Sequence, residues 1–333
     1  MKRDRRRVRK QIVHLFLSGV TRRIALRVVA LMAATTFALV VWSAPQSEGG
    51  QSNSNQQSAA TAWQVVAQAL GKAGSMQPGD VYKVSLPRSD LKVTVNGIEL
   101  KPALALGSWV AFKKMGQMTM VMGDLVLTED EVRPVLTKLQ EGGVEETALH
   151  NHVLHESPRV MYMHIHALGD TVKIAQAIHD ALALSKTPFA ASPPSSNPTP
   201  ELGIDTKQLD QTLAQTGKLD GLVYQFSIAR AEKIMDNDME VPASMGLATA
   251  INFQPTGSGK AAITGDFVLV GSEVNPVIKA LRDNGIEVTA LHSHMLTETP
   301  RLFFMHFWAN DDAQKLAHGL RAALDKMNIV RAH

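Results

Sequence analysis

Thr147 to His166 reads T-A-L-H-N-H-V-L-H-E-S-P-R-V-M-Y-M-H-I-H, and Thr289 to Trp308 reads T-A-L-H-S-H-M-L-T-E-T-P-R-L-F-F-M-H-F-W. The two stretches align without a gap at an offset of 142 residues. They share two histidines one residue apart, then a glutamate, a Pro-Arg pair and a third histidine. The first stretch alone holds five of the twelve histidines in the chain. Strands of alternating and apolar character flank each Pro-Arg corner, so each copy is expected to be an antiparallel hairpin, Val144 to His155 against Arg159 to Ala167 in the first.

Outward from that hairpin the duplication continues. Across residues 123–166 against 265–308, 22 of 44 positions are identical. Upstream of the first copy, Thr128 followed three residues later by Glu131 makes a capping box for a helix ending at Gly142-Gly143. Val132, Val135, Leu136 and Leu139 supply its apolar face. Val81 to Leu86, Leu91 to Val95, Ser108 to Phe112 and Met118 to Leu127 read as strands, and Asn96-Gly97 is a strong hairpin-turn signal. Helices over Ala62 to Lys72 and Thr171 to Leu184 complete the unit. Val223-Tyr224 matches Val81-Tyr82 at the same offset and opens the second set. The expected fold is α+β, two duplicated domains at 61–187 and 204–333, each a mostly antiparallel sheet with covering helices and a β-α-β-β-α ending. Pro188 to Pro200, Pro/Ser-rich, lies in a linker over 188–203. The two similar units are expected to pack as a pseudo-symmetric pair.

The N-terminal 43 residues differ in kind. Ten of the 34 Lys and Arg precede Val28, so the chain's net +3 conceals a body over 28–333 with 24 basic and 30 acidic residues. A basic patch for nucleic acid is therefore absent from the body, and no nucleic-acid partner is expected. Val28 to Trp42 is an uncharged apolar run behind Arg22-Arg23, similar to a twin-arginine export signal. It is read either as a cleaved signal peptide or as an uncleaved membrane anchor. Both place the body outside the cytoplasm, in the periplasm or on the extracytoplasmic face of the membrane. Residues 44–60, polar and Gly/Ser/Asn/Gln-rich, form a tether. The chain has no cysteine, which excludes disulfides, thiolate nucleophiles and Cys-based zinc sites.

The chemistry-bearing residues are the duplicated ones. Alternate residues of a strand share a face, so His150 and His152 point one way, as do His164 and His166. All four converge if the hairpin pairs even positions with even. With Glu156, and with His292, His294, Glu298 and His306 in the second copy, they make a set for a divalent metal: Zn, Fe, Mn or Cu(II). An open coordination position would allow water activation. The alternative is a hydrogen-bonded core hairpin in which glutamate and carbonyls satisfy the imidazoles. The first copy is the richer, with His155 and His166 where the second has Thr297 and Trp308. If one half alone held a metal, it would be the first. Arg159 and Arg301 fit either an anionic group or local ion pairs with Glu156 and Glu298. Gly123-Asp124 and Gly265-Asp266 mark a close backbone approach with a cap or an outer carboxylate. Met118, Met120 and Met122 alternate as core filling. No nucleophile elbow, phosphate loop or H-E-x-x-H occurs.

V-T-V-N-G-I-E-L-K-P-A-L-A-L-G-S-W-V-A-F (Val93 to Phe112), G-D-L-V-L-T-E-D-E-V (Gly123 to Val132) and the Thr147 to His166 stretch occur in this order, and in them the chain resembles the LppY/LpqO family. The resemblance covers nearly everything from Ala62 onward. It implies a bacterial exported protein with a domain of unknown function, in a family some of whose members carry a peptidoglycan-binding label. A cell-wall glycan partner and a non-catalytic binding module follow as the alternative function. The family's namesakes are lipoproteins; lacking cysteine, this chain must take any anchorage from its leader.

Overall fold

The computed structural model describes residues 63–190 and 202–331. The expected leader, the tether and most of the linker lie outside the described residues. No helix among those described is long and apolar enough to cross a membrane.

In the first copy, α1 (residues 63–70) precedes β1 (Ser75–Gln77), β2 (Val81–Pro87), β3 (Thr94–Val95), β4 (Ile98–Glu99), α2 (Pro102–Ala105), β5 (Gly107–Met115) and β6 (Met118–Thr128). Then come α3 (Glu129–Glu141), β7 (Glu145–His150), β8 (Glu156–Ser157), β9 (Val160–Gly169) and α4 (Thr171–Leu182). The second copy repeats this with α5 (Thr206–Leu213), β10 (Lys218–Asp220), β11 (Val223–Ala229), β12 (Met235–Asp236), β13 (Met239–Glu240) and a short 3-10 turn (Ala243–Met245). It continues with β14 (Ala248–Gly257), β15 (Lys260–Val270), α6 (Val274–Asp283), β16 (Glu287–His292), β17 (Leu302–Asp312) and α7 (Ala313–Leu324). Each copy builds a six-stranded sheet, β1-β2-β5-β6-β9-β7 and β10-β11-β14-β15-β17-β16, in which neighbouring strands are antiparallel. The α+β duplication holds. The capping box holds too, with the Thr128 N–H donating to Glu131 Oε2 at 2.9 Å. The Asn96-Gly97 turn lies between β3 and β4, both residues at positive φ.

Both faces of each sheet are covered, which explains why β6 is almost continuously apolar rather than alternating. Val121, Leu125 and Leu127 pack under Val135 and Leu139 of α3 and Ile174 and Ile178 of α4. On the other face, Met120 and Met122 meet Val268, Leu302 and Phe304 of the second copy. Reciprocally, Val126 and Tyr162 share a cluster with Ala262 and Trp308. Met120 and Met122 fill this inner core, whereas Met118 is exposed. The helices are thus outer layers and the sheets inner ones.

The copies interlock through their connecting arms. Residues 88–106 carry β3, β4 and α2 onto the second sheet: Gln254 accepts from the Lys101 N–H at 2.8 Å and donates to the Glu99 carbonyl at 2.8 Å. Gln225 and Asn252 donate to the Ala103 and Leu104 carbonyls at 2.7 and 3.0 Å. The arm of the second copy returns the contact, Ser244 donating to the Pro78 carbonyl at 2.7 Å.

The expected hairpin needs one correction. The strand anticipated over Val144 to His155 ends at His150, and residues 151–155 form a loop in which His155 adopts a left-handed φ of 59°. Glu156–Ser157 leave the large sheet to pair with β3. The pull of the arm ends the strand early, so His152 sits on a loop.

Candidate metal centre

The inner faces of the two sheets bring six histidines together. In each copy two come from strands and one from the loop after His150 or His292. Ala148 pairs with His164 and His150 with Tyr162, and Ala290 with His306 and His292 with Phe304. Even positions pair with even, which puts the strand histidines on the inner face, and the loop folds His152 and His294 back over it.

Three pairs of imidazoles stack across the copies. Ring centroids of His150 and His292 are 3.5 Å apart, those of His164 and His294 3.5 Å, and those of His152 and His306 3.8 Å. Each pair joins one ring from each copy. Within the first copy, His150 lies 5.1 Å from both His152 and His164. Within the second, His292 lies 4.9 Å from both His294 and His306. Outer aromatic platforms close two of the stacks: Tyr162 on His152 at 3.3 Å and Phe304 on His294 at 3.4 Å. The Tyr162 hydroxyl is fixed by donating to the Ala105 carbonyl at 2.9 Å.

The polar atoms around the rings decide their tautomers. His306 Nδ1 sits 2.8 Å from the Gly265 carbonyl, which can only accept, so Nδ1 carries the proton. At the equivalent place in the first copy the Gly123 carbonyl faces His164. His150 and His292 approach the Asn151 and Ser293 carbonyls at 3.4 Å through Nδ1. Nε2 of all six rings is buried and makes no hydrogen bond. Buried polar atoms almost always have partners, and these six orphaned nitrogens gather in one chamber. A histidine that anchors one ring nitrogen on a carbonyl and frees the other is prepared as a metal ligand.

The charge state agrees. Burial, reinforced by neighbouring imidazoles, lowers His152, His164, His294 and His306 well below their ordinary value. Burial and His292 lower His150 to about 3, and burial lowers His292 to about 4. All six are neutral near pH 7, lone pairs available. Asp124 Oδ2 lies 3.9 Å from His152 Nε2, and Asp266 Oδ2 lies 3.5 Å from His294 Nε2. Burial pushes the Asp124 carboxyl up to about 8 against the pull of Lys83, and burial with Asp124 raises Asp266 well above its usual range. These are protonated acids beside neutral rings, not ion pairs.

Acid should therefore unfold the metal-free protein. The six imidazoles titrate near 6.5 when unfolded and only below about 4 when folded, at least for His150 and His292. Their contribution is present above pH 6.5 and is lost as pH falls through the folded values. Asp124 acts oppositely, its contribution present below about 3.9 and lost as pH rises through about 8. Asp266 and Glu156, the latter raised by burial to about 7, act as Asp124 does. Six imidazoles outweigh three carboxyls, so the urea midpoint of the chelated chain is expected to fall between pH 6.5 and 4. A flat midpoint over that interval would contradict neutral buried imidazoles.

Three expected ligands stand apart. His166 Nε2 faces Asp236 at 3.4 Å and its Nδ1 faces Glu145 at 3.5 Å, away from the stacked rings. Glu156 Oε1 accepts from the Val160 N–H at 3.2 Å. Glu298 accepts from the Leu302 N–H at 3.0 Å and from Arg301 at 3.1 Å. Both glutamates brace the Pro-Arg corner instead of entering the chamber. Arg301 thus makes its expected local pair, but exposed Arg159 lies 3.8 Å from Glu129 rather than on Glu156. The histidines of both copies line one chamber, three from each. The Gly-Asp pairs are placed as outer carboxylates and carbonyl anchors, while Tyr162 and Phe304 were missed, their aromatic character reading as ordinary core.

The family model described as "Domain of Unknown Function (DUF1259)" matches twice, over residues 64–184 and 207–326. The chain belongs to the DUF1259 family. Both family matches contain the complete His-x-His and hairpin histidine set of their copy. No curated protein matches the chain. Among solved structures, a trimeric bacterial microcompartment shell protein, PduB, aligns at 14% identity over 78% of this chain and 97% of its own, with a TM-score of 0.20. EtuB from Clostridium kluyveri aligns at 11% identity over 78% and 96%, with a TM-score of 0.19. Alignments this loose establish neither fold nor function.

Proposed function

We propose that this DUF1259 protein is an exported cell-envelope protein that holds a divalent transition metal in the chamber shared by its two copies. One observation carries the reading: the buried Nε2 atoms of six neutral imidazoles, none hydrogen-bonded, lie in one chamber in two overlapping ligand sets. His150, His152 and His164 present ligand atoms within 4.8 Å of one another, as do His150, His292, His294 and His306. An all-imidazole donor set suits Zn, Cu, Fe and Ni better than Mn, which favours carboxylates. The bound metal would supply Lewis acidity or an activated water. The chain's own contribution is orientation and exclusion of water. His164, His294 and His306 have little contact with solvent, and half-buried His150, His152 and His292 form the chamber's more exposed side. Asp124 and Asp266 place one carboxyl beside the histidines of each copy, 3.9 Å from His152 and 3.5 Å from His294.

Metal analysis of the purified full chain tests this. Stoichiometric metal is expected in the wild type, with at least tenfold less retained in a His150→Ala/His292→Ala variant that keeps its circular dichroism. A wild type free of metal after incubation with Zn(II) or Cu(II) removes the reading. The export component rests on the leader, and Arg22→Lys/Arg23→Lys should hold the protein in the cytoplasmic fraction. Unchanged fractionation would exclude a twin-arginine route.

A further inference from the structure

We infer that the chamber takes two metal ions, each held by the three histidines of one copy, with a bridging position between them. The inference rests on the metal-binding reading above and adds the number and partition of the ions.

The argument is geometric. His150, His152 and His164 form one layer, with His150 tilted only 23° and 12° from its two neighbours. His292, His294 and His306 form the second, with corresponding tilts of 33° and 18°. The three ligand atoms of the first layer fall within 4.8 Å of one another, as do those of the second, which His150 approaches as a fourth from across its stack with His292. The layers face each other through the three stacked pairs, 3.5–3.8 Å apart and inclined by 24–29°.

One six-coordinate ion cannot use this arrangement. Adjacent ligands on an octahedral centre leave it at about 90°, and opposite ligands leave it in opposite directions, so no two can lie face to face. Here every histidine lies face to face with one from the other copy. Stacked rings must aim their lone pairs at points displaced by the stacking distance. That displacement matches the spacing of about 3.5–4 Å found in two-metal sites. Three nitrogens leave each ion open toward its neighbour, where one small oxygen or nitrogen ligand could span both. Asp124 and Asp266, one per layer, flank the rings at 3.5–4.0 Å, so one carboxyl lies beside each triad. Duplication thus creates the centre, because neither copy alone places two triads face to face.

The test is a titration of the chelated full chain with Cu(II), read by bound metal per chain and by electron paramagnetic resonance. Two equivalents are expected. The isolated-copper signal should grow through the first and fall through the second as the two spins couple. His152→Gln/His164→Gln should bind one equivalent and keep the isolated signal, and His294→Gln/His306→Gln should behave identically, since each removes one triad. Saturation at one equivalent in the wild type overturns the paired centre while leaving the metal-binding reading intact. Two equivalents with fully additive signal overturns the facing arrangement. No bound copper or zinc removes both proposals.

Discussion

Arg88→Ala and Arg230→Ala should each lower the stability of the chain by about 3–5 kcal/mol, the cost of stripping one partner from a buried ion pair. Each arginine has essentially no solvent contact and is the hub of a network reproduced at the 142-residue offset. Arg88 donates to Glu131 at 2.7 and 3.2 Å, to Asp90 at 2.9 Å through both Nε and Nη2, and to the Val126 carbonyl at 2.7 Å. Arg230 donates to Glu273 at 2.6 and 3.0 Å, to Glu232 at 3.1 and 2.9 Å, and to the Val268 carbonyl at 2.7 Å. The glutamates also gather backbone N–H groups, Thr128 and Lys186 on Glu131, Val270 and Asn328 on Glu273. Burial alone would raise the Glu131 carboxyl, but Arg88 and these N–H groups outweigh it and hold it below its usual range. Alanine leaves that carboxylate buried and uncompensated at the root of the arm that crosses to the other copy. Because the arms interlock the two sheets, urea unfolding should remain a single transition with a lowered midpoint. Two resolved transitions in either variant would show that the copies unfold independently. Arg88→Met/Glu131→Leu should recover part of the loss, since an apolar pair of similar volume leaves no charge behind.

The duplication, the capped helix before the hairpin and the histidines themselves were legible in the sequence, because each is written in local pattern or direct repetition. The even-to-even register stood there only as a condition, which the pairs Ala148–His164 and His150–Tyr162 meet. The chamber was not. Identical histidines in two copies fit two separate sites or one shared site equally well, and only the crossing arms decide between them. Those arms depend on Gln225, Asn252 and Gln254 meeting carbonyls of residues 99–104, contacts between positions more than a hundred residues apart that no local period announces. The same arms explain the misplaced glutamates. Glu156 follows the chain out of the large sheet to β3, so strand alternation from His152 no longer predicts where it points. His166 is a different kind of miss. It shares the face of His164, but its ring turns to Asp236 of the second copy's arm. The Arg88 network left a trace in R-x-D at 88–90 and R-x-E at 230–232, spaced by the same offset as the histidines. Reading that trace required knowing that a second carboxylate, 43 residues on, would fold back onto each arginine.

Gly265→Ala is the substitution expected to join fold and site most directly. A Cβ at Gly265 lands on the Ala250 carbonyl oxygen of the neighbouring strand, far inside van der Waals contact, whereas one at Gly123 meets the Trp109 oxygen at 2.9 Å. The strands β14 and β15 would have to separate, at a cost near the upper end of overpacking, about 3 kcal/mol; Gly123→Ala should cost less. Neither glycine has a positive φ, so the requirement is for space alone. The carbonyl of the same residue accepts from His306 Nδ1 at 2.8 Å and fixes the tautomer that frees Nε2. Moving it should weaken metal binding by roughly 10–100-fold, as losing an outer partner of a ligating histidine does. Stability and affinity can be read separately, by denaturation of the chelated protein and by Zn(II) competition against a chromogenic chelator. A Gly265→Ala protein that is destabilised yet binds Zn(II) as tightly as the wild type would show that the carbonyl does not set the ligand. If both quantities fall together, the glycine is kept for two reasons at once: it lets two strands approach, and its carbonyl orients an imidazole for the metal.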